Sequence, residues 1–318
     1  MRCLVVPMCF LLASVYCKDA LDSALNSEGC GSATRYGSSL QRPANARLME
    51  FPWLARLGYQ QSPEDAIEYL FQGTLIHPLF VITTVFAAEY SRNSLKFVRL
   101  GDYNSTSDPD CDDSQCAPIP QDIPIELIIK HPNYNKPRLA NDLVLLKLKN
   151  TANINSEHIG TACIPTGSSI APIEEAPLFV VAWCGSRKAG ISVIPRQYRM
   201  QKMSHVICAE KLKDHMSIDL HRSELCAALN LDKQTQIEDI NLRGGTGAPV
   251  HTIGPDRKFY VVGMLSVGVR DAPLGMPYVL VDLREMSDWL ETTVADQLNN
   301  VRFNRTGYLS MSVFGNFS

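Results

Sequence analysis

Short apolar and β-branched runs, each cut off by turn residues, recur along the chain: EYLFQGTLI (68–76), FVITTVFAA (80–88), LKFVRL (95–100), IELIIKHP (125–132), DLVLLKLK (142–149), LFVVAWC (178–184), KFYVVGMLSVG (258–268) and PYVLVDL (277–283). Runs of this length with Gly, Pro, Asn and Asp between them predict many short strands, hence an all-β barrel or sandwich. One helix breaks the pattern. In EMSDWLETTVADQLNN the apolar residues Met286, Trp289, Leu290, Val294 and Leu298 fall on one face at helical spacing, a stripe that suits core packing. No repeat is present, and residues 299–318 read as a polar, Asn-rich tail.

The chain has 318 residues and a formal net charge of −3 with acidic and basic residues interspersed, so charge gives no argument for a nucleic-acid or membrane partner. Residues 1–17 place Arg2 before the apolar run CLVVPMCFLLASVY, too short to span a bilayer, and read as a cleaved secretory signal. About 300 residues then remain, enough for one large or two small domains. An extracellular location follows as the expectation.

Ten cysteines are present, three of them in the presumed signal. The remaining seven, Cys30, Cys111, Cys116, Cys163, Cys184, Cys208 and Cys226, stand in no CxxC pair or His cluster, so an oxidising compartment predicts disulfides rather than metal ligation. Seven is odd, and at least one thiol must lack a partner within the chain.

The words EFPWLARLGY, GTLIHPLFVIT, VRLGDY, NDLVLLKL, ACIP, VVAWCG and GMLSVG, in this order and spacing, resemble the chymotrypsin- and trypsin-like serine protease family over roughly residues 40–298. The stretch DPDCDDSQCAPIPQDIPIELIIKHPNY is similar to arthropod clip-type proteases, although a separate clip module is lacking. The resemblance implies two packed antiparallel six-stranded β-barrels with the functional cleft between them and a C-terminal helix. It divides the chain into an N-terminal peptide (18–39) tethered by Cys30, a first barrel at about 40–150, a second at about 151–285, a helix at about 285–298 and the polar tail.

Catalysis in that family needs a serine nucleophile, an imidazole to take its proton and a carboxylate to orient the imidazole. Aligning VITTVFA on the family word that ends in the histidine puts Phe86 at that position, and GGTGAP, set against GDSGGP, puts Thr246 at the serine and Gly245 at the preceding aspartate. Asp142 of NDLVLLKL keeps the carboxylate, with Ser266 as its expected hydrogen-bond partner. A phenyl ring accepts no proton, and an internal threonine has no N-terminal amine to serve as base. Loss of one triad member costs on the order of 10⁶ in rate in a related chemistry. The degenerate triad Phe86, Asp142 and Thr246 therefore predicts no peptidase activity.

Other family parts are replaced as well. The activation bond aligns after Ser39, before Leu40, with Arg42 and Pro43 where the new terminus should carry glycines, and Gly245 offers that terminus no carboxylate. A cut at Arg35 would meet the same lack. Ile240 aligns with the base of the substrate pocket, Gly268 with one wall and Tyr278 with the other, where its ring should fill much of the slot. Phe71 and Ala87 stand at the two ends of one family disulfide, and Leu242 at one end of another. By analogy with the family the remaining cysteines pair as Cys30 with Cys163, Cys111 with Cys116 and Cys208 with Cys226. Cys184 is left as a buried thiol or a link to another chain.

Two weaker signals complete the reading. Asp102, Asp108, Asp110, Asp112, Asp113 and Asp122 crowd the loop 101–122, which has no basic residue of its own; it reads as a solvated acidic loop, with calcium the cofactor to test. Sequons at Asn104, Asn304 and Asn316 suit a secreted glycoprotein, the last being the least favourable for its place at the chain end. The chain reads as a secreted, non-catalytic protease homologue that binds a protease, zymogen or other secreted protein in an extracellular cascade of immunity or reproduction. The alternatives are a peptidase of unorthodox chemistry and a structural or carrier protein linked through Cys184. A closed cleft is expected, with Phe86 buried in it.

Overall fold

A computed structural model describes residues 25–33, 44–90, 94–166, 177–186, 190–230, 242–269, 273 and 275–313, the side chains of 301–313 excepted. The presumed signal, Arg35, the aligned activation bond at Ser39, Ile240 and Asn316 lie outside the described residues.

In chain order the elements are β1 (Ala44–Asn45), β2 (Leu54–Gln60), β3 (Glu68–His77), β4 (Phe80–Thr83), α1 (Val85–Ala88), β5 (Ser94–Leu100), β6 (Gln121–Lys130) and β7 (Val144–Leu148). There follow β8 (Leu178–Ala182), β9 (Gly185–Ser186), β10 (Gly190–Ile191), β11 (Arg196–Met203), α2 (His205–Leu212), β12 (Glu224–Leu229), β13 (Pro249–Ile253), β14 (Phe259–Gly268), β15 (Pro277–Asp282) and α3 (Leu283–Val313). The first barrel closes in the order β2-β3-β4-β7-β6-β5. The second runs β11-β12-β15-β14-β13-β8 and closes because β8 pairs back on β11 through Arg196↔Ala182 to Met200↔Leu178. Closure leaves neither sheet a long open edge.

Three boundaries differ from the sequence reading. FVITTVFAA is not one strand: β4 ends at Thr83, and Thr84, in extended conformation, accepts a hydrogen bond from the Ala87 N–H and so starts α1. A threonine hydroxyl that can cap a helix overrides a β-branched run. Residues 44–45, expected in the first barrel, pair instead with Arg196 and Gln197, taking the stretch of β11 that β12 leaves free. The C-terminal helix starts at Leu283 and its backbone continues to Val313, well into the expected tail. Leu283, Met286, Leu290 and Val294 are its core face, and Trp289 meets His131 edge-on.

The barrels meet through a buried aromatic group in which Phe51 and Trp53 pack on His251 and Phe259 with ring centroids 5.6–6.0 Å apart. The Trp53 indole N–H donates to His251 Nε2 at 2.7 Å, leaving Nδ1–H to face the Phe179 carbonyl at 3.3 Å. Full burial pushes the pKa of this imidazole down to about 3. Cys30 is bonded to Cys163, Cys111 to Cys116 and Cys208 to Cys226. Cys184 is a free thiol, 0% exposed, whose pKa burial pushes up to about 12. A sulfur so placed cannot reach another chain. Among the described residues no helix is long and apolar enough to cross a membrane.

Candidate functional site

The groove between the barrels is built by α1 on one side and by the chain from Leu242 to Gly247, with the end of β14, on the other. Thr84 fixes where α1 begins, and the helix turns Val85, Ala87 and Ala88 inward. Phe86 is the residue it turns outward. The ring is 53% exposed and lines an open groove of about 330 Å³ together with Thr246, Leu242, Arg243 and Tyr278. The closed-cleft expectation is therefore wrong. The core under α1 is already filled by its neighbours, so the Phe86 ring rests on the surface, edge-on to Phe71 at 5.6 Å and to Tyr90 at 6.1 Å. Phe71 also meets Tyr59 and Tyr90, while the Tyr59 hydroxyl donates to the Ala87 carbonyl at 2.6 Å. The positions aligned with a family disulfide, Phe71 and Ala87, are thus joined by aromatic packing and one hydrogen bond.

Asp142 lies beneath α1, only 5% exposed. Its Oδ1 accepts from the Val85 N–H at 2.8 Å and the Phe86 N–H at 3.4 Å, and its Oδ2 from the Ser266 hydroxyl at 2.6 Å. Backbone donors of the helix start and one hydroxyl from the second barrel thus satisfy the carboxylate without any imidazole. Burial raises its pKa, and the hydrogen bonds from Ser266, Val85 and Phe86 oppose that rise.

Across the groove, Gly247 adopts φ +80°, and a Cβ there would run into the Gln72 carbonyl. Only glycine permits this approach of the two barrels. At Gly245 a Cβ would meet the Leu242 carbonyl and Leu265 Cδ2 at 3.0 Å, so a side chain at that position is crowded. Tyr278 stands in the wall with 9% exposure, its ring against Gly268 and its hydroxyl accepting from the Leu242 N–H at 3.2 Å. It narrows the slot without closing it. The groove lining contains three hydroxyls, those of Thr246, Ser266 and Tyr278, and among the described residues no histidine.

Gln72 escaped the sequence reading. It is 3% exposed, and its amide Nε2 donates to the Gly244 carbonyl at 2.8 Å and the Trp183 carbonyl at 3.0 Å while its Oε1 accepts from the Trp183 N–H at 3.1 Å. The Gln72 backbone N–H donates to the Thr246 carbonyl, and its own carbonyl accepts from the Thr83 hydroxyl. One first-barrel residue thereby pins the Leu242–Thr246 segment. The available signal was a lone amide within the apolar run EYLFQGTLI.

The acidic loop is not simply solvated. Arg99, at the end of β5, bonds Asp108 and pairs with Asp122 at 3.0 Å and Asp102 at 3.3 Å, while Arg56 of β2 reaches Asp102 at 2.5 Å. Asp102, Asp108 and Asp110 do come together, but Asp110 is spent on the Tyr103 and Asn104 N–H groups. This donor set fits its arginines and backbone amides and does not fit a calcium ion, which would have to displace two guanidinium partners. Asn104 is half-buried, and its side-chain oxygen accepts from the Thr106 hydroxyl and N–H. Asn304 lies on the backbone of α3 with its side chain outside the described residues.

Two closed six-stranded barrels with a groove between them define a chymotrypsin-like fold. Residues 42–290 match the Trypsin family, and the chain belongs to it. It is 26% identical over 287 residues to phenoloxidase-activating factor 3 of Holotrichia diomphalia, covering 83% of this chain and 79% of that protein. It is 31% identical over 254 residues to serine protease 7 of Drosophila melanogaster, covering 77% and 62%. The chain thus spans a little under two thirds of the second relative. A solved structure, that of the Drosophila Grass clip serine protease of the Toll pathway, superposes with a TM-score of 0.70 over 87% of this chain and 78% of that one, at 22% identity, a likeness of fold.

Proposed function

We propose that this chain is a secreted, non-hydrolysing member of the trypsin family that works by binding, as a cofactor, adaptor or decoy in an extracellular proteolytic cascade such as those of immunity or reproduction. The observation that carries the reading is the exposed Phe86 ring at the aligned histidine position, opening on the same groove as Thr246. A hydroxyl without a neighbouring proton acceptor is a poor nucleophile, whereas an accessible aromatic surface beside the exposed Arg243 is suited to protein recognition. The relatives support the setting: one is named as an activating factor and one solved neighbour as a pathway protease. The presumed signal and the three disulfides support an oxidising, extracellular compartment.

The test is hydrolysis of peptide esters and amides by the purified protein, before and after trypsin treatment, with a fluorophosphonate probe for labelling at Thr246. No turnover and no label are expected. Turnover or labelling that Thr246→Ala abolishes would overturn the proposal in favour of a peptidase; turnover that survives it marks a contaminant.

A further inference from the structure

Away from the groove, three buried polar side chains converge on one small cavity. Glu50, Asp102 and His158 are all more than nine-tenths buried, and Glu50 Oε1, Asp102 Oδ1 and His158 Nε2 each lack a hydrogen-bond partner. All three residues line the same space of about 20 Å³, closed by Leu48, Tyr103 and Pro195 among others. Three orphaned polar atoms in separate places would each cost stability; gathered around one cavity they point to a shared ligand.

The size and spacing select its chemistry. About 10–15 Å³ admits one water molecule, so the cavity takes one and no larger group. A directly bound metal is disfavoured, because Glu50, Asp102 and His158 do not bring their ligand atoms within 4.8 Å of one another, as Asp102, Asp108 and Asp110 do. Zinc and magnesium bonds of roughly 2.0–2.2 Å to nitrogen and oxygen require that closeness, whereas contacts of about 2.8 Å to a water allow a wider span; calcium, with its longer bonds, is decided by the soaking experiment below. Burial raises the pKa of both carboxyls, while Arg56 and Arg99 oppose that rise at Asp102 and Arg47 opposes it at Glu50.

The other faces of the three groups are already fixed. Glu50 Oε2 accepts from the Arg47 N–H at 2.7 Å, Asp102 Oδ2 from Arg56 at 2.5 Å, and His158 Nδ1 lies 2.9 Å from the Ser156 hydroxyl. The Ile119 carbonyl also faces the imidazole, without the geometry of a hydrogen bond to Nε2. We propose that one water molecule is bound in this cavity as a fixed part of the fold, donating to Glu50 Oε1 and Asp102 Oδ1 and accepting from His158 Nε2–H. It adds a side-chain link among three segments already tied by the Tyr103 hydroxyl donating to the Ala46 carbonyl at 2.9 Å and the Gly160 N–H donating to the Pro52 carbonyl at 3.1 Å: the strap before β2, the turn Gly101–Tyr103 that opens the acidic loop, and the connector between the barrels. From there the loop reaches the second barrel, through Trp183 Nε1–H to the Tyr103 carbonyl and Ser105 N–H to the Val193 carbonyl.

A crystal structure resolving ordered solvent, with an anomalous data set from a calcium- or manganese-soaked crystal, tests the proposal on the wild-type chain. The expected result is one peak at about 2.6–3.1 Å from all three atoms, without anomalous signal. In solution, ¹⁷O magnetic relaxation dispersion should count one long-lived water fewer in His158→Phe than in the wild type. A peak at metal–oxygen distances, an anomalous signal, carboxylate oxygens in direct contact, or equal counts of long-lived water in the two proteins would each overturn it.

Discussion

The Gln72 side-chain amide reaches across from the first barrel to the Gly244 carbonyl, 2.8 Å away, and so fixes one rim of the groove from the opposite side. In the family as it resembles this chain, the same rim is ordered by an ion pair that forms after cleavage, and Gly245 leaves no carboxylate for it. Replacing Gln72 with Ala should leave Trp183 and Gly244 backbone groups unpaired, lowering stability by about 1–3 kcal/mol. Amide hydrogen exchange should quicken selectively in residues 242–248. Unchanged protection there would show that the rim holds itself.

Phe86→Ala should separate binding from stability. The ring is half exposed, so its loss should lower stability by about 1 kcal/mol or less, mostly through its edge contacts with Phe71 and Tyr90. Capture of partners from the native secretion, quantified by mass spectrometry, should fall sharply. Thr246→Ala should leave the melting temperature nearly unchanged, since only the Thr246 backbone carbonyl is engaged among the described residues.

Restoring the family residues with Phe86→His and Thr246→Ser should yield little hydrolysis of peptide esters. Tyr278 still narrows the slot, Gly245 still offers no carboxylate, and the imidazole would enter from a helix position that points outward. Catalytic groups act only when positioned. Near-normal protease rates from the double variant would refute this account of the groove.

Asp142 sets a pH signature. Its folded pKa is raised above the unfolded value, so the folded state holds the proton more tightly and the wild type gains stability as pH falls through the raised pKa towards the ordinary carboxylate value near 3.9. Asp142→Asn removes that gain. The difference in unfolding free energy between wild type and Asp142→Asn should be constant near neutrality and shift in favour of the wild type on acidification through this window. Ser266→Ala, which strips one donor from a buried carboxylate, should cost about 1–3 kcal/mol at pH 7. A flat difference curve would place the Asp142 pKa at its ordinary value.

Both barrels, the strands of Val81–Thr83 and Val144–Leu148, and the Asp142–Ser266 pair were legible because apolar runs and family words carry them. The exposure of Phe86 was not. A single apolar residue in an apolar run reads as core, and only the capped turn at Thr84, three-dimensional rather than periodic, shows that α1 points it outward. Arg99 was missed for a similar reason. It precedes the acidic loop by two residues, and its pairing with Asp102, Asp108 and Asp122 depends on the hairpin that brings Asp122 opposite Arg99 in the β5–β6 register. Gln72 needed the second barrel in place before its amide had anything to bind.

The two-residue strand β1 has a consequence for synthesis. Ala44 pairs with Gln197, so this segment leaves the ribosome about 150 residues ahead of its partner. At about 5–20 residues per second the interval is roughly 8–30 s, long enough for the whole first barrel to emerge and collapse. Through that time the strap has no sheet to join, and its attachment must wait until the second barrel has begun to emerge. Stalling or truncating translation before Arg196 should therefore yield a first barrel whose N-terminal strap is open to proteases, with protection arriving only when β11 does.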